Sequence, residues 1–197
     1  YCESPTSIGR GAMRTVLDRL FYCLTTWLAP ALVFTSEEAW LSRFPSSEGS
    51  VHLQSFPEIP EEYFDKELAD RWRRIREIRR VINGALEVER AEKHIGSSLE
   101  ASVRLHLSEI TDVEVVGSVD LAELTISSEV VVITGSGPEG AYSLDGVKGV
   151  SVEVAKARGG KCARCWQFSG DVGTFPGHPD LCKRCYSVIE SGALQSD

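Results

Sequence analysis

The sequence KCARCWQFSGDVGTFPGHPDLCKRCY, residues 161–186, contains two closely spaced cysteine pairs. Two residues separate Cys162 from Cys165 and Cys182 from Cys185, and sixteen residues lie between the pairs. Two intervening residues allow one turn to present both sulfurs to a single ion, and two such turns complete a tetrahedron. The spacing therefore predicts one structural zinc ion with four thiolate ligands and no open coordination position.

Paired cysteines have other uses, of which redox chemistry and iron binding are the alternatives to zinc. No thioredoxin-like βαβ pattern surrounds these pairs, which argues against a redox role, and an iron centre would use the same four ligands. His178 lies between the pairs, but four sulfurs already fill the coordination shell, so we expect a surface histidine or one that supports the ligands. Cys2 and Cys23 are expected to be free thiols.

The segment around the cysteines has few large aliphatic residues, so the ion is expected to supply most of its stability. Apparent zinc-binding free energies of such peptides are about 10–16 kcal/mol. Arg164 and Trp166 flank Cys165 and would project from the backbone that the metal fixes. This pair of side chains suits an unstacked RNA base, because the indole can stack on the base and the guanidinium can hydrogen-bond to its edge or to a phosphate. Alternatively, Trp166 packs against Phe168 or Phe175 and Arg164 is solvated.

The sequence before Gly159-Gly160 indicates a small α+β unit. Four short β-branched stretches predict strands, and Ser108–Val116 predicts a helix that covers their sheet. The stretches are SVRLHLS (102–108), LAELTIS (121–127), EVVVIT (129–134) and VSVEVAK (150–156).

The first 95 residues have the apolar spacing of helices. Ser7 is a candidate N-cap for a long amphipathic helix that Pro30 ends, and a short helix is predicted from Thr35. The longest helix is predicted within residues 61–93, where Gly84 marks a close approach or a bend. Between these helices we expect a loop over 44–60, with VHLQSFP (51–57) extended.

The net charge of −8 argues against a uniformly basic nucleic-acid binder, but the charge is unevenly distributed. Residues 156–186 carry six basic side chains against two acids. A second basic run sets Arg71, Arg73, Arg74, Arg76, Arg79 and Arg80 against Glu77 alone. It predicts either a phosphate-contacting helix face or an exposed face paired with acids elsewhere in the chain.

Nothing in the sequence indicates membrane insertion or secretion, because it contains no apolar run of 18 residues and no leader peptide. With 42% apolar residues it is expected to fold, in the cytoplasm, as an excised piece of a longer protein that begins here at Tyr1. His94-Ile95-Gly96 is similar to the start of the HIGH motif of class I synthetases, but Ser97 replaces the second histidine and the tripeptide follows a helix. We assign it no catalytic role.

Several stretches together resemble the C-terminal third of bacterial isoleucyl-tRNA synthetases. The three stretches nearest the N-terminus resemble the anticodon-binding helical domain and its exit. The C-terminal stretch, which contains the cysteine pairs, resembles the terminal zinc finger. The similarity covers nearly the whole chain. The stretches are RTVLDRLFYCLTTWLAPALVFTSEEAW (14–40), VHLQSFPEIP (51–60), ALEVERAEKHIGSSLEA (85–101) and KCARCW with HPDLCKRCY (161–166 and 178–186).

The resemblance implies a class I aminoacyl-tRNA synthetase that uses ATP to attach isoleucine to its tRNA. Its catalytic and editing sites, and with them ATP, are expected outside this chain, which would recognise the anticodon stem-loop of isoleucine tRNA as a monomer without an obligate protein partner. In that family the Arg and Trp around the second finger cysteine contact the wobble base, and they match Arg164 and Trp166. We add Phe168, Lys183 and Arg184 as candidate RNA contacts.

The predicted fold class is α+β and multi-domain, with a helical bundle (1–95), a small α+β unit (96–157), a four-cysteine zinc finger (158–190) and a tail (191–197). Two other functions stay open. A related finger ends the DNA glycosylases that excise oxidised purines, although those enzymes begin with Pro-Glu and this chain begins Tyr1-Cys2-Glu3. The other is a zinc-stabilised module that docks proteins.

Overall fold

The computed structural model describes residues 2–191, which form two compact units. The first unit is Glu3–Phe64 and the second is Asp65–Ser191 with Cys2. The predicted α+β class is confirmed, and the predicted tail lies, apart from Ser191, outside the described residues. The helices are α1 (Ile8–Leu28), α2 (Val33–Arg43), α3 (Lys66–Ala91), α4 (Ile110–Val116), α5 (Leu121–Thr125) and α6 (Lys183–Glu190). The strands are β1 (Ala101–Leu107), β2 (Glu129–Thr134), β3 (Val150–Lys156), β4 (Gly160–Lys161) and β5 (Phe168–Ser169).

The first unit begins as its sequence predicts. The Ser7 hydroxyl accepts a hydrogen bond from the Arg10 backbone N–H at 3.1 Å, which caps α1. This helix ends at Leu28, two residues before Pro30, and α2 begins at Val33 rather than at Thr35. The prediction that 51–57 is extended is wrong at its start, because Val51–Leu53 forms a 3₁₀ turn capped by the Ser50 hydroxyl.

An aromatic cluster holds the first unit together. Trp40 is buried, with its ring centroid 5.5 Å from that of Tyr22 and 4.7 Å from that of Phe44. Ala29 and Val51 complete this small core. The opposite stripe of α1 remains exposed: Val16, Leu17, Leu20, Leu24, Trp27 and Leu28. No helix of the described residues is both long enough and apolar enough to span a bilayer.

A three-stranded sheet in the order β2-β1-β3 forms the centre of the second unit. β1 pairs in parallel with β2 and antiparallel with β3, so that Leu105 lies opposite Val132 on one side and Val152 on the other. A parallel pair requires a crossover connection, and α4 and α5 provide it between β1 and β2. The three strands predicted at 102–108, 129–134 and 150–156 are therefore present.

The long helix α3 covers one face of this sheet. The middle of its apolar stripe is buried against the strands, and the cluster contains Ile78, Val81, Ile82, Val103, Leu105 and Val152. Burying a Val, Leu or Ile side chain contributes about 1.5–3 kcal/mol, so this interface accounts for much of the unit's stability. The predicted division at residue 95 placed this helix with the N-terminal bundle, whereas the compact units divide between Phe64 and Asp65.

The prediction that 121–127 is a strand is wrong, because Leu121–Thr125 is a helix. The Asp120 carboxylate accepts from the Glu123 N–H at 3.0 Å and caps the helix N-terminus. The Thr125 hydroxyl donates back to the Leu121 carbonyl at 2.8 Å, and Ile126 ends the helix in the left-handed conformation. The helix predicted at 108–116 is present as α4.

Gly84 marks a close approach between α3 and the Tyr142 side chain, which is one of the two predicted roles for this glycine. A Cβ at this position would lie 2.4 Å from the Tyr142 hydroxyl oxygen and 2.8 Å from two of its ring carbons. Such separations are far below van der Waals contact, so only glycine lets α3 approach Tyr142 without a shift.

We expect Gly84→Ala to lower the free energy of unfolding by about 1–2 kcal/mol, because the cost of overpacking exceeds alanine's higher helix propensity. The matched control is Gly11→Ala in α1, where no heavy atom lies within 4 Å and the change should stabilise the helix. Urea unfolding followed by circular dichroism measures both variants. Equal stabilisation by the two substitutions would contradict the close approach.

Candidate metal centre and nucleic-acid interface

The segment after the sheet is a two-stranded hairpin followed by a short helix. β4 pairs antiparallel with β5, with Lys161 opposite Phe168. Gly159 precedes the hairpin with φ of 98°, and a Cβ there would lie 2.2 Å from the Ser169 carbonyl oxygen. Glycine is therefore required where the chain leaves the sheet and enters the cysteine segment.

The first cysteine pair lies in the hairpin turn. The Trp166 N–H donates to the Cys162 carbonyl, and the Cys162 N–H donates to the Gln167 carbonyl, both at 2.9 Å. These bonds fix a turn that directs Cys162 and Cys165 to the same side.

The second pair lies at the beginning of α6. The Ala163 N–H donates to the Asp180 carbonyl at 2.9 Å, which joins the two cysteine turns. The Asp171 carboxylate accepts from the Lys183 N–H at 2.9 Å and thereby caps the first turn of the helix. Backbone contacts thus align the two turns.

The four predicted ligands converge. The Sγ atoms of Cys162, Cys165, Cys182 and Cys185 all lie within 4.8 Å of one another. The Cys165 and Cys182 sulfurs are 3.7 Å apart. A tetrahedral ion with Zn–S bonds of about 2.3 Å would separate its ligand sulfurs by about 3.8 Å. The four close cysteines could therefore bind a metal ion.

The sulfurs differ in proton affinity. Burial raises the pKa of Cys162, but the backbone amides of Cys165, Cys182 and Arg164 outweigh burial and lower it to about 6. Burial dominates at Cys182 and Cys185 and raises the pKa of both thiols. A cation that binds all four sulfurs must therefore displace the protons of Cys182 and Cys185.

Two arginines lie against the sulfurs. The Arg164 Nη1 atom is 2.8 Å from the Cys2 carbonyl oxygen and 3.6 Å from the Cys185 sulfur. Burial lowers the pKa of the Arg184 guanidinium, but its interactions with Cys165, Cys185 and Cys2 raise it above the usual range. A divalent ion with four thiolates carries a net charge of about −2, which these two guanidiniums are placed to balance.

Trp166 projects from the same turn into solvent. Its side chain is 59% exposed, and the Lys161 Nζ atom lies 4.8 Å from the ring centroid. Phe175 stacks instead on Tyr186, with centroids 4.5 Å apart. Trp166 also has a φ of 68°, a left-handed backbone conformation that residues other than glycine rarely adopt. Backbone strain of this kind often marks a functional position.

Two further candidates occupy separate places on the segment. Phe168 is half-buried in an open groove of about 610 Å³ that Arg104 and Arg158 also line. Lys183 is exposed on the first turn of α6. Arg164, Trp166 and Arg184 are thus grouped around the sulfurs, whereas Phe168 faces the sheet.

Ser127 and Ser128 have a role that the sequence reasoning missed. The Phe168 N–H donates to the Ser128 hydroxyl at 2.7 Å, and Gln167 donates to the Ser127 carbonyl at 3.4 Å. These bonds attach the hairpin to the start of β2. No sequence signal distinguishes these serines from others in turns, because their partners lie 40 residues away.

His94-Ile95-Gly96 lies in the loop that ends α3. The His94 Nδ1 atom is 2.8 Å from a Glu89 carboxylate oxygen, and the Gly96 N–H donates to Glu100 at 3.0 Å. Lys93 turns the chain with a φ of 62°. Local contacts within this turn account for the tripeptide. His178 is half-buried near Tyr186, with ring centroids 6.2 Å apart.

Comparison with known proteins relates this arrangement to tRNA ligases. Residues 1–105 match the family described as the anticodon-binding domain of tRNA ligase. The isoleucine–tRNA ligase of Mesorhizobium japonicum is 47% identical over 192 residues, which cover 96% of this chain and 19% of that protein. The ligase of Agrobacterium fabrum is 48% identical over 99% of this chain and 20% of its own length. The chain spans about a fifth of the length of the curated relatives it matches.

Proposed function

The chain belongs to the anticodon-binding domain family of tRNA ligases, and on this basis we propose that it recognises the anticodon stem-loop of isoleucine tRNA. For the longer protein we propose the reaction of an isoleucine–tRNA ligase, the ATP-dependent attachment of isoleucine to its tRNA. High similarity to ligases of that name over nearly the whole chain supports the choice of tRNA. We further propose a cytoplasmic monomer without an obligate protein partner.

We propose that the cysteine segment, 158–190, is a zinc finger that holds one structural ion through Cys162, Cys165, Cys182 and Cys185. When bound, zinc supplies a rigid tetrahedral anchor and no reactive coordination position. The convergence of four sulfurs within 4.8 Å of one another, two of them 3.7 Å apart, supports a single four-coordinate ion such as zinc. The cysteine turns then hold the backbone from which Trp166 projects.

The observation that carries the proposal is an exposed tryptophan on a rigid, cysteine-rich turn. Lys161 lies over one face of the Trp166 ring, and an unstacked base can use the solvent-exposed part. Base stacking on an aromatic ring contributes about 1–3 kcal/mol, and a neighbouring ammonium adds attraction for phosphate. We propose that Trp166 stacks on a base of the anticodon loop.

The other predicted RNA contacts receive different roles. We propose that Arg164 and Arg184, beside the sulfurs, stabilise the cysteine turns. Both side chains are half-buried, so the exposed part of each guanidinium can also contact the anticodon loop. Exposed Lys183 suits a phosphate, and half-buried Phe168 suits a splayed base at the rim of its groove. The match to a tRNA-ligase family favours RNA over DNA or a docking protein as the partner.

We expect Trp166→Ala to weaken binding of isoleucine tRNA roughly 5- to 150-fold, which corresponds to the about 1–3 kcal/mol of one stacked base. Fluorescence anisotropy with labelled tRNA measures the change, and the zinc content should stay at one ion per chain. Trp166→Phe, the matched control, keeps an aromatic face and should retain most of the affinity. Unchanged binding by Trp166→Ala would assign the loop contact to other residues.

A further inference from the structure

The basic run of α3 is a surface that the proposed finger contact does not use. The structure divides its arginines into two groups. Arg74 is half-buried and donates to both oxygens of Asp112, at 2.8 and 2.6 Å, and Arg73 pairs with Asp70 at 2.6 Å. Both cations already have a carboxylate partner within the second unit.

The remaining arginines are free of such partners. Arg71, Arg76, Arg79 and Arg80 are exposed, and within the described part of the chain none of them forms an ion pair. Arg79 and Arg80 lie three and four residues after Arg76, so the three side chains share one side of the helix. The buried face of the helix carries Ile75, Ile78 and Ile82, and the arginines lie outside it, toward solvent.

Neutral hydrogen-bond donors extend this surface. A shallow groove of about 270 Å³ beside Arg79 is lined by Asn83, Ser97 and Ser98 among others. Its one acid, Glu87, is paired with Arg90 at 2.5 Å, and Arg90 also donates to the Ser98 hydroxyl at 2.8 Å. Guanidinium, amide and hydroxyl donors around a groove are the groups that bind phosphate oxygens.

We propose that Arg76, Arg79 and Arg80, with the groove beside Arg79, form a second RNA-binding surface that contacts the phosphate backbone of the bound tRNA. The concentration of unpaired positive charge in a chain with a net charge of −8 makes a polyanion the fitting partner. Phosphate contacts fix the position of an RNA without reading its bases, so this surface would orient the stem while the finger reads the loop. The inference rests on the proposed tRNA binding for the identity of the RNA.

The test is the salt dependence of tRNA binding by the full chain and by the variant Arg76→Gln/Arg79→Gln/Arg80→Gln. Glutamine keeps the helix propensity of these exposed positions, so folding should be unaffected. Each lost phosphate contact lowers the slope of log K against log [salt] by about 0.7–0.9 units, so we expect a reduction of about two units in the triple variant. Affinity at low salt should fall at least about tenfold, equally for isoleucine tRNA and for a tRNA with another anticodon.

The matched control is Arg73→Gln, which removes one charge from the same helix at a position already paired with Asp70. Arg73→Gln should leave the slope of log K against log [salt] nearly unchanged, whereas Arg76→Gln alone should lower that slope. An unchanged slope in the triple variant, while the parent chain binds isoleucine tRNA, overturns this inference and leaves the proposed function intact. Absence of tRNA binding by the parent chain overturns both. Equal competition by polyglutamate would reassign the surface to an acidic protein.

Discussion

Replacing Cys162 with serine is expected to remove the zinc ion and to disorder residues 158–190, while α3 and the three-stranded sheet remain folded. The Cys162 sulfur is fully buried among the other three and accepts the Cys182 N–H at 3.3 Å. The buried cluster of this segment contains Leu181 and three of the cysteines, with few aliphatic side chains beside them. Without the zinc-binding free energy of about 10–16 kcal/mol, the few apolar contacts of this segment are not expected to keep it folded.

The zinc content should fall from about one ion per chain to nearly none, measured by atomic emission on dialysed protein. Limited proteolysis should cut within 158–190, and the sheet should keep its circular dichroism signal. Cys23→Ser is the matched control, because Cys23 is buried in α1 of the first unit and is not one of the four ligands. A Cys162→Ser chain that retained zinc and resisted protease would show that the four sulfurs do not form the site.

The second large effect is expected at the ion pair between α3 and α4. Asp112→Ala should lower the free energy of unfolding of the second unit by about 3 kcal/mol, because it leaves the half-buried Arg74 guanidinium without its main partner. The Asp112 side chain is 8% exposed and that of Arg74 is 26% exposed, so water only partly compensates the loss. Arg74 would keep Glu77 at 3.0 Å and the Lys148 carbonyl at 3.1 Å.

Chemical denaturation of the variant measures this loss. The control Asp70→Ala removes a carboxylate that pairs with Lys66 and Arg73 on the exposed side of the same helix, and it should change stability little. The double variant Arg74→Met/Asp112→Leu should recover most of the loss, since apolar residues of similar volume can replace a buried pair. An Asp112→Ala chain as stable as its parent would place the stability of this interface in the apolar contacts alone.

The sequence predicted best where chemistry is set by residue type and local spacing. The two cysteine pairs predicted the sulfur cluster, since a two-residue gap allows one turn to bring both sulfurs of a pair together. Ser7 and the apolar spacing after it predicted α1, and the spacing after Glu61 predicted α3. In these cases the signal lies within a few residues of the structure it specifies.

Prediction was weaker where tertiary contacts decide. The apolar stripe of α3 identified a buried face but not its partner, and in the structure that partner is the sheet. The β-branched Thr125 and Ile126 favoured a strand, but the Asp120 cap and the hydrogen bond from Thr125 to Leu121 form a helix instead.

Counting charges along the sequence could not predict which arginines are paired and which are free. Six arginines in residues 71–80 are equivalent in sequence, yet Arg74 is committed to Asp112 while Arg76, Arg79 and Arg80 are exposed. Arg164 and Arg184 each precede a ligand cysteine and were predicted as RNA contacts, but the sequence did not predict that both guanidiniums lie against the sulfurs. Spacing along the chain does not specify these partners, because they come from other elements.

The decisive experiment compares the affinity of the zinc-loaded chain for two labelled stem-loops, one with the isoleucine anticodon and one with a different anticodon loop on the same stem. We expect tighter binding of the isoleucine stem-loop, by at least about fivefold if one stacked base is read. This preference should disappear when a chelator removes the zinc and return when zinc is restored. Equal affinity for the two stem-loops, or a preference that survives complete removal of the metal, would show that a zinc-held finger does not read the loop.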